Sequence, residues 1–166
     1  MREEPSRRTP AGAPALKKID LTIARLRLLL ADVSARERAL EDQRRTFREQ
    51  HNKLITFSMY GDSTLDSVLA MLGDVQERLS HLDGTSQSLA AIRKRAEIEL
   101  ESLQLTKGIE EAKILLQALR AKQAGPFDPA DALTPAEIQA EIARLQSLIN
   151  EASERAAKTI EKSTRR

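Results

Sequence analysis

The stretch that decides the fold is residues 16–54, LKKIDLTIARLRLLLADVSARERALEDQRRTFREQHNKL. Apolar side chains recur there in alternating steps of three and four residues, which places them along one side of an α-helix. A repeat sustained over this length is typical of long helices that pack against other helices. We call this row of positions the α1 seam: Leu16, Ile19, Ile23, Leu26, Leu30, Val33, Glu37, Leu40, Arg44, Phe47, His51 and Leu54.

The seam changes character along the helix. It is apolar at every position up to residue 33, and then every second position becomes polar, at Glu37, Arg44 and His51. A long apolar stripe left in water usually marks an interface. We therefore expect the apolar end, residues 16–33, to contact a protein partner or a second copy of the chain. The predicted partner-binding residues are Leu16, Ile19, Ile23, Leu26, Leu30 and Val33.

The first helix is predicted over about residues 16–60. Gly61 can adopt the left-handed conformation that ends a helix, and Asp62 or Ser63 can cap the next one. A second helix is expected over 63–82, because the 3–4 spacing resumes there. The apolar positions of that seam are Leu65, Val68, Leu72, Val75, Leu79 and Leu82.

A third helix is predicted over 86–123, and the join before it is ambiguous. Gly84 favours a break or a kink, although a glycine costs a helix interior only about 1 kcal/mol and packing could override it. The early apolar positions of this segment are Leu89, Ile92 and Ala96, and they do not share a register with the later ones. Leu100 and Leu103 mark the phase shift, as in a stutter.

A Gly/Pro linker over residues 124–133 precedes the last helix, which is predicted over 134–162. Thr134, Pro135 and Glu137 form a capping box, with Thr at the N-cap, Pro at the first helical position and Glu at the third. The apolar seam of this helix is Ile138, Ile142, Leu145, Ile149, Ala152, Ala156 and Ile160.

The sequence therefore predicts an all-α protein, an elongated antiparallel helical bundle or coiled coil of three to four helices. Residues 1–15 are expected to be a flexible N-terminal arm, residues 16–123 a long helical hairpin, and residues 163–166 a frayed tail. Charge favours antiparallel pairing, since residues 16–60 carry a net charge of +4 and residues 61–84 a net charge of −4.

Composition excludes several classes of function. Aromatic residues make up 2% of the 166 residues, which argues against a base-stacking platform, and cysteine is absent, which excludes a disulfide framework or a thiolate metal site. No apolar run reaches the roughly 18 residues of a membrane-spanning helix. We expect a cytoplasmic protein without a membrane span.

No motif for catalysis, metal binding or cofactor binding is present, so we expect no enzyme, no cofactor and no metal site. His51 stands alone at a seam position, and His81 has only Glu77 beside it. Two basic clusters, one at Arg44, Arg45 and Arg48 and one at residues 93–95, could contact phosphates. Because acidic residues are interspersed with them, nucleic-acid binding is not favoured.

The leading hypothesis is a non-enzymatic scaffold or adaptor protein that works through coiled-coil helix packing. Its partner would be another protein or a second copy, which would make the chain a homodimer. Two alternatives stay open: a helical nucleic-acid-associated protein, and an export or assembly chaperone that holds a partner helix. The distant likeness to export chaperones and stalk proteins built from long antiparallel helices is one of fold alone.

Overall fold

The structure is a computed structural model that describes residues 13–126 and 133–164. It contains three α-helices: α1 (Ala13–Tyr60), α2 (Leu65–Ala124) and α3 (Pro135–Thr164). No strand occurs in these two ranges, so the all-α prediction is confirmed. Most of the predicted arm, residues 127–132 of the predicted linker and the last two residues of the predicted tail lie outside the described residues. None of the three helices is both long and apolar enough, over its described length, to cross a membrane.

The chain divides into two compact units. The hairpin unit is Leu28–Glu97, and the three-helix unit is formed by Met1–Arg27 together with Ile98–Arg166. In the hairpin unit, Arg44 of α1 pairs with Asp83 of α2, and Glu37, earlier in α1, pairs with Arg93, later in α2. The two helices are therefore antiparallel in this unit.

The α1 seam is confirmed as the packed side of its helix. All twelve positions are buried or half-buried, and Ile23 and Val33 are the most covered of them, at 6% and 2% exposure. The three polar positions, Glu37, Arg44 and His51, are half-buried like their apolar neighbours. The 3–4 spacing therefore identifies the packed side even where the residues on it are charged.

The expected break at Gly84 is wrong, because a single helix runs from Leu65 to Ala124. The buried residues of α2 in the hairpin unit are seven residues apart, and this spacing passes through Gly84 without interruption. They are Val68, Val75, Leu82, Leu89 and Ala96. Burial of Leu82 and Leu89 on either side offsets the cost of about 1 kcal/mol that a glycine brings to a helix interior.

The polar residues around Gly84 are helical as well. The hydroxyl of Thr85 donates a hydrogen bond to the carbonyl oxygen of His81 at 3.0 Å, and that of Ser88 donates one to the carbonyl of Gly84 at 3.0 Å. Hydroxyls bonded to the carbonyl four residues earlier belong to a helix interior and not to an N-cap. The separate helices predicted over 63–82 and 86–123 are therefore one element.

The continuous register of α2 also corrects the prediction for Ile92. Its side chain is 46% exposed, and the half-buried seam position is taken by its neighbour Arg93. Leu65, predicted as the first seam residue, is also exposed, so the buried seam begins at Val68. Both errors come from assigning apolar residues to the seam wherever the spacing allowed one.

In the three-helix unit, α3 packs against the last part of α2. The cluster of Ala112, Leu116 and Leu145, with Leu119, Ile142 and Ile149 around it, forms the core of this unit. Residues 112–119 and 142–149 lie at similar chain distances from the linker, so the two helices are antiparallel. The predicted α3 seam is buried or half-buried from Ile138 to Ala156, whereas Ile160 is exposed.

The predicted phase shift in α2 has a physical reason in this unit. Residues 105–110 are all half-buried, on every side of the helix, which one packed stripe cannot produce. Segments of α1 and α3 belong to the same unit, and Lys107 of α2 reaches Asp20 of α1 with a Nζ–Oδ1 distance of 2.6 Å. A helix with neighbours on two sides needs a second buried face.

The start of α3 agrees with the predicted cap, whereas the start of α2 does not. The backbone N–H of Thr134 donates to the Glu137 carboxylate at 2.7 Å, and the N–H of Glu137 donates to the Thr134 hydroxyl at 3.4 Å, so the capping box is confirmed. The carboxylate of Glu137 accepts hydrogen bonds from the backbone N–H and from the hydroxyl of Thr134, and these two bonds lower the pKa of Glu137 below its ordinary value. Thr64, and not Asp62 or Ser63, is the residue whose carbonyl accepts the first helical bond of α2, from Val68.

Gly61 ends α1 without the left-handed conformation predicted for it, since no described glycine has a positive φ. Its N–H donates to the carbonyl of Phe57 at 2.7 Å, which continues the helical bonding by one residue. A Cβ at position 61 would lie 2.6 Å from that carbonyl oxygen and 2.9 Å from the Phe57 ring. Glycine is required here because of this close approach.

Candidate functional site

The predicted partner-binding residues lie on the packed side of α1. Ile23 and Val33 are buried, and Leu16, Ile19, Leu26 and Leu30 are half-buried. The apolar seam is thus largely covered by contacts within the chain. A partner-binding role for these six residues stays a prediction, and it would require a partner to replace part of that coverage.

Exposed apolar side chains are concentrated instead at the turn between α1 and α2. We call residues 55–71 the hairpin tip. Its members include Phe57 at 48% exposure, Met59 at 70%, Tyr60 at 86%, Leu65 at 65% and Leu69 at 55%, and Ile55 and Met71 are exposed to a smaller degree. Single exposed apolar residues are ordinary, but a group of seven within one turn and its flanks is the kind of patch that marks interaction sites.

Helix geometry arranges these side chains in pairs. Ile55 and Met59 are four residues apart on α1, and Leu65 and Leu69 are four apart on α2, so each pair lies on one side of its helix. Phe57 and Tyr60 line a cleft of about 440 Å³ at the end of α1, together with Asn52, Lys53, Thr56 and Gly61. The tip therefore offers apolar contact surface on more than one side.

The segment that contains the tip, residues 54–77, is also the most acidic part of the hairpin unit. No lysine or arginine occurs from Leu54 to Glu77, whereas four acidic residues do: Asp62, Asp66, Asp74 and Glu77. All four are exposed. None of them forms an ion pair with another residue in the described ranges.

Acidic residues elsewhere in the hairpin unit are mostly paired. Ion pairs with arginine engage Asp32, Glu37, Glu41, Asp42, Asp83 and Glu97. The Arg93 guanidinium donates to both Glu37 and the hydroxyl of Ser34, and the hydrogen bond to Glu37 raises the pKa of Arg93 above its ordinary value. Negative charge without a partner is thus concentrated around the exposed apolar residues of the tip.

Three of the six side chains in the two basic clusters are engaged within the chain, whereas Arg48, Lys94 and Arg95 are exposed and form no ion pair in the described ranges. Arg44 pairs with Glu41 and Asp83, Arg45 pairs with Asp42, and Arg93 pairs with Glu37 and Glu97. Arginines held by carboxylates have fewer donors left for phosphates. The structure thus gives the nucleic-acid alternative no additional support.

The candidate chemical residues do not come together. His51 lies half-buried at its seam position, and His81 is exposed on α2. Within residues 13–126 and 133–164, no group of three or more His, Asp or Glu side chains could hold a metal ion. His81 and Glu77 stay the two-residue set that the sequence indicated.

The tip was not predicted from the sequence, although its composition is distinctive. Residues 54–77 contain two of the three methionines and two of the four aromatic residues of the chain. A search for seams passes over such a segment because exposed apolar residues follow no period. Neither the protein-family models, nor the curated proteins, nor the solved structures provide a match to this chain.

Proposed function

We propose that this chain is a non-enzymatic interaction protein, a scaffold or adaptor in which an antiparallel coiled-coil hairpin presents its tip to a protein partner. The observation that carries the proposal is the exposure of Phe57, Met59, Tyr60, Leu65 and Leu69 at one end of the hairpin. Aromatic residues and methionine are enriched at protein interfaces, and tyrosine is among the residue types that most often dominate the affinity.

The packing of the rest of the chain supports the same proposal. The seams of all three helices are covered within the chain over most of their length. Their apolar residues are therefore explained by folding, and no partner is needed to account for them. The exposed apolar residues of the tip are not explained in this way, because their side chains lie outside the core. A cytoplasmic location and an oligomeric state stay predictions.

Site-specific photo-crosslinking in the cells that naturally make this protein tests the proposal. A photoreactive phenylalanine analogue replaces Tyr60 in one variant and Leu148 in a control variant, because Leu148 is an exposed apolar residue of α3 outside the tip. We expect position 60 to form a covalent adduct with a defined protein, identified by mass spectrometry, and position 148 to form none.

The purified partner then provides the quantitative test. We expect a Tyr60→Ser, Leu65→Ser double variant to bind it at least tenfold more weakly than the unmodified chain, and Leu148→Ser to bind it equally well. The proposal fails if position 60 yields no adduct, or if the tip variants leave the affinity unchanged.

A further inference from the structure

We propose that the hairpin tip recognises a cationic amphipathic helix, that is, a partner segment with apolar residues on one face and lysine or arginine beside them. This inference rests on the proposed function and names the chemistry of the partner. It follows from three properties of the tip: its apolar pairs, its uncompensated acidic residues and its exposed aromatic rings.

The apolar spacing of the tip suits a helical partner. Ile55 with Met59 and Leu65 with Leu69 each present two apolar side chains one helical turn apart. A partner helix that docks on such a surface uses anchors at the same i, i+4 spacing. The two methionines, Met59 and Met71, add flexible, polarisable contacts that adapt to side chains of different shape.

Charge selects a basic partner over a neutral or acidic one. Asp62 and Asp66 lie among the exposed apolar residues, Asp74 and Glu77 follow on α2, and no cationic residue is interspersed from residue 54 to residue 77. Lys53 in the cleft and Arg78 beside Glu77 are the neighbouring cations, but neither forms an ion pair with these four carboxylates. Lysine and arginine at the edge of a docked helix would supply such partners. Such complementarity acts mainly on partner choice and association rate.

The aromatic rings give the cations a second contact. Tyr60 is 86% exposed and Phe57 is 48% exposed, and both line the cleft at the end of α1. A lysine or arginine over such a ring face gains a cation–π interaction. The hairpin unit already contains one example, in which the Arg78 guanidinium carbon lies 5.7 Å from the centre of the Phe47 ring.

The same charges disfavour two other occupants. Tip-to-tip contact between two copies would bring Asp62 and Asp66 against the same residues of the second copy, and like charges in an interface are costly. An anionic membrane surface would repel the tip for the same reason. Both occupants are therefore outcomes that contradict the inference.

The test measures binding of the full chain to a fluorescein-labelled 18-residue peptide of leucine and lysine with helical periodicity. Fluorescence anisotropy gives the dissociation constant at 50 mM and 300 mM salt. We expect saturable binding that weakens as the salt concentration rises. The matched peptide, in which glutamate replaces every lysine, should bind at least tenfold more weakly.

Two double variants locate the binding site. Asp62→Asn with Asp66→Asn should weaken binding about fivefold or more and reduce its salt dependence. Met59→Ser with Tyr60→Ser should weaken it about tenfold. The matched controls, Glu99→Gln with Glu154→Gln and Leu115→Ser with Leu148→Ser, change exposed residues outside the tip and should leave binding within twofold. Circular dichroism verifies that each variant is folded.

The inference is overturned if the acidic peptide binds as tightly as the basic one, or if the tip variants bind the basic peptide like the unmodified chain. It is also overturned if the unmodified chain self-associates in sedimentation, or binds phosphatidylcholine–phosphatidylglycerol vesicles, and the tip variants lose that behaviour. Either result would assign the tip to a second copy or to a membrane. Its failure is separable from that of the proposed function. An adduct at position 60 without peptide binding would reject only the cationic helix.

Discussion

Single residues determine how the two long helices meet, and Arg93 is the clearest case. It occupies a seam position of α2 that would ordinarily hold an apolar residue, and it contacts Glu37 and Ser34 of α1. A charged pair at matching seam positions disfavours every other register, because sliding one helix would separate the two half-buried charges. We therefore interpret the Arg93–Glu37 pair as a device that fixes helix register.

A double-mutant cycle tests this role of Arg93. Arg93→Leu and Glu37→Leu should each lower the thermal midpoint, because each leaves one half-buried charge without its charged partner on the facing helix. The double variant should have a higher midpoint than either single variant and reach or exceed that of the unmodified chain, since it completes an apolar seam. Circular dichroism melting of the four proteins measures this. Additive effects of the two substitutions would contradict the interpretation.

Glycines at two positions should respond in opposite directions to alanine. Gly61→Ala should destabilise the fold by about 1–3 kcal/mol, because the new Cβ meets the Phe57 carbonyl oxygen. Gly73→Ala should stabilise it by about 0.5–1 kcal/mol, since nothing lies within 4 Å of that Cβ and alanine is the better helix former. Urea unfolding measures both. Equal effects would show that the close approach at Gly61 is not rigid.

At the scale of the helix, spacing was more informative than residue type. All twelve positions that the 3–4 repeat of α1 identified are packed, including the charged ones, because the period of a helix does not depend on what occupies it. The break at Gly84 could not be excluded from the sequence, since propensity alone favours it and only the burial of Leu82 and Leu89 reverses the outcome. Tertiary packing overrode a local signal.

Proline at position 84 tests the continuity of α2. Gly84→Pro should destabilise the hairpin unit by about 3 kcal/mol or more, because proline removes a helical hydrogen bond and its ring clashes with the preceding turn. Gly84→Ala is the matched control and should be neutral or stabilising. Thermal or urea unfolding measures the difference. A proline variant as stable as the unmodified chain would indicate that the helix is interrupted at this point.

The start of α3 should contribute stability that depends on pH. The capping box lowers the pKa of the Glu137 carboxyl in the folded state. The stability that the box contributes is therefore fully present above the pKa that Glu137 has in the unfolded chain, and it is lost as the pH falls through the folded-state pKa. Thr134→Ala should cost about 1 kcal/mol at pH 7, and the cost should shrink below about pH 4. Unfolding by urea at both pH values measures it.

Thr159→Ala is the matched control for the capping box. Its hydroxyl donates to the Arg155 carbonyl within α3 and contacts no carboxylate. The effect of this substitution should therefore be small and the same at both pH values. A cost of Thr134→Ala that stays constant down to pH 3 would show that the hydrogen bond from the Thr134 hydroxyl to the Glu137 carboxylate does not contribute to stability.

In the molecule as a whole, the buried seams explain how the chain folds, and the tip holds apolar residues that the fold leaves exposed. The three-helix unit buries Ala112, Leu116 and Leu145 around one core, and the hairpin unit closes along a heptad row. The fold class followed from the sequence because both units are built from periodic patterns. The candidate site did not, because it depends on which apolar residues remain uncovered, and only the packed chain shows that Leu65 and Leu69 are exposed while Val68 is not.

Hydroxyl-radical footprinting of the full chain, alone and in extract of the cells that naturally make it, distinguishes a partner at the tip from a partner at the α1 seam. Hydroxyl radicals oxidise exposed methionine, tyrosine, phenylalanine and leucine side chains. One measurement therefore compares the exposure of the tip with that of the α1 seam. We predict that Met59, Tyr60 and Leu65 are labelled in the free chain and lose label in the extract, while residues 16–33 do not change. Loss of label confined to residues 16–33, with the tip unchanged, would contradict the account and assign the partner to the seam.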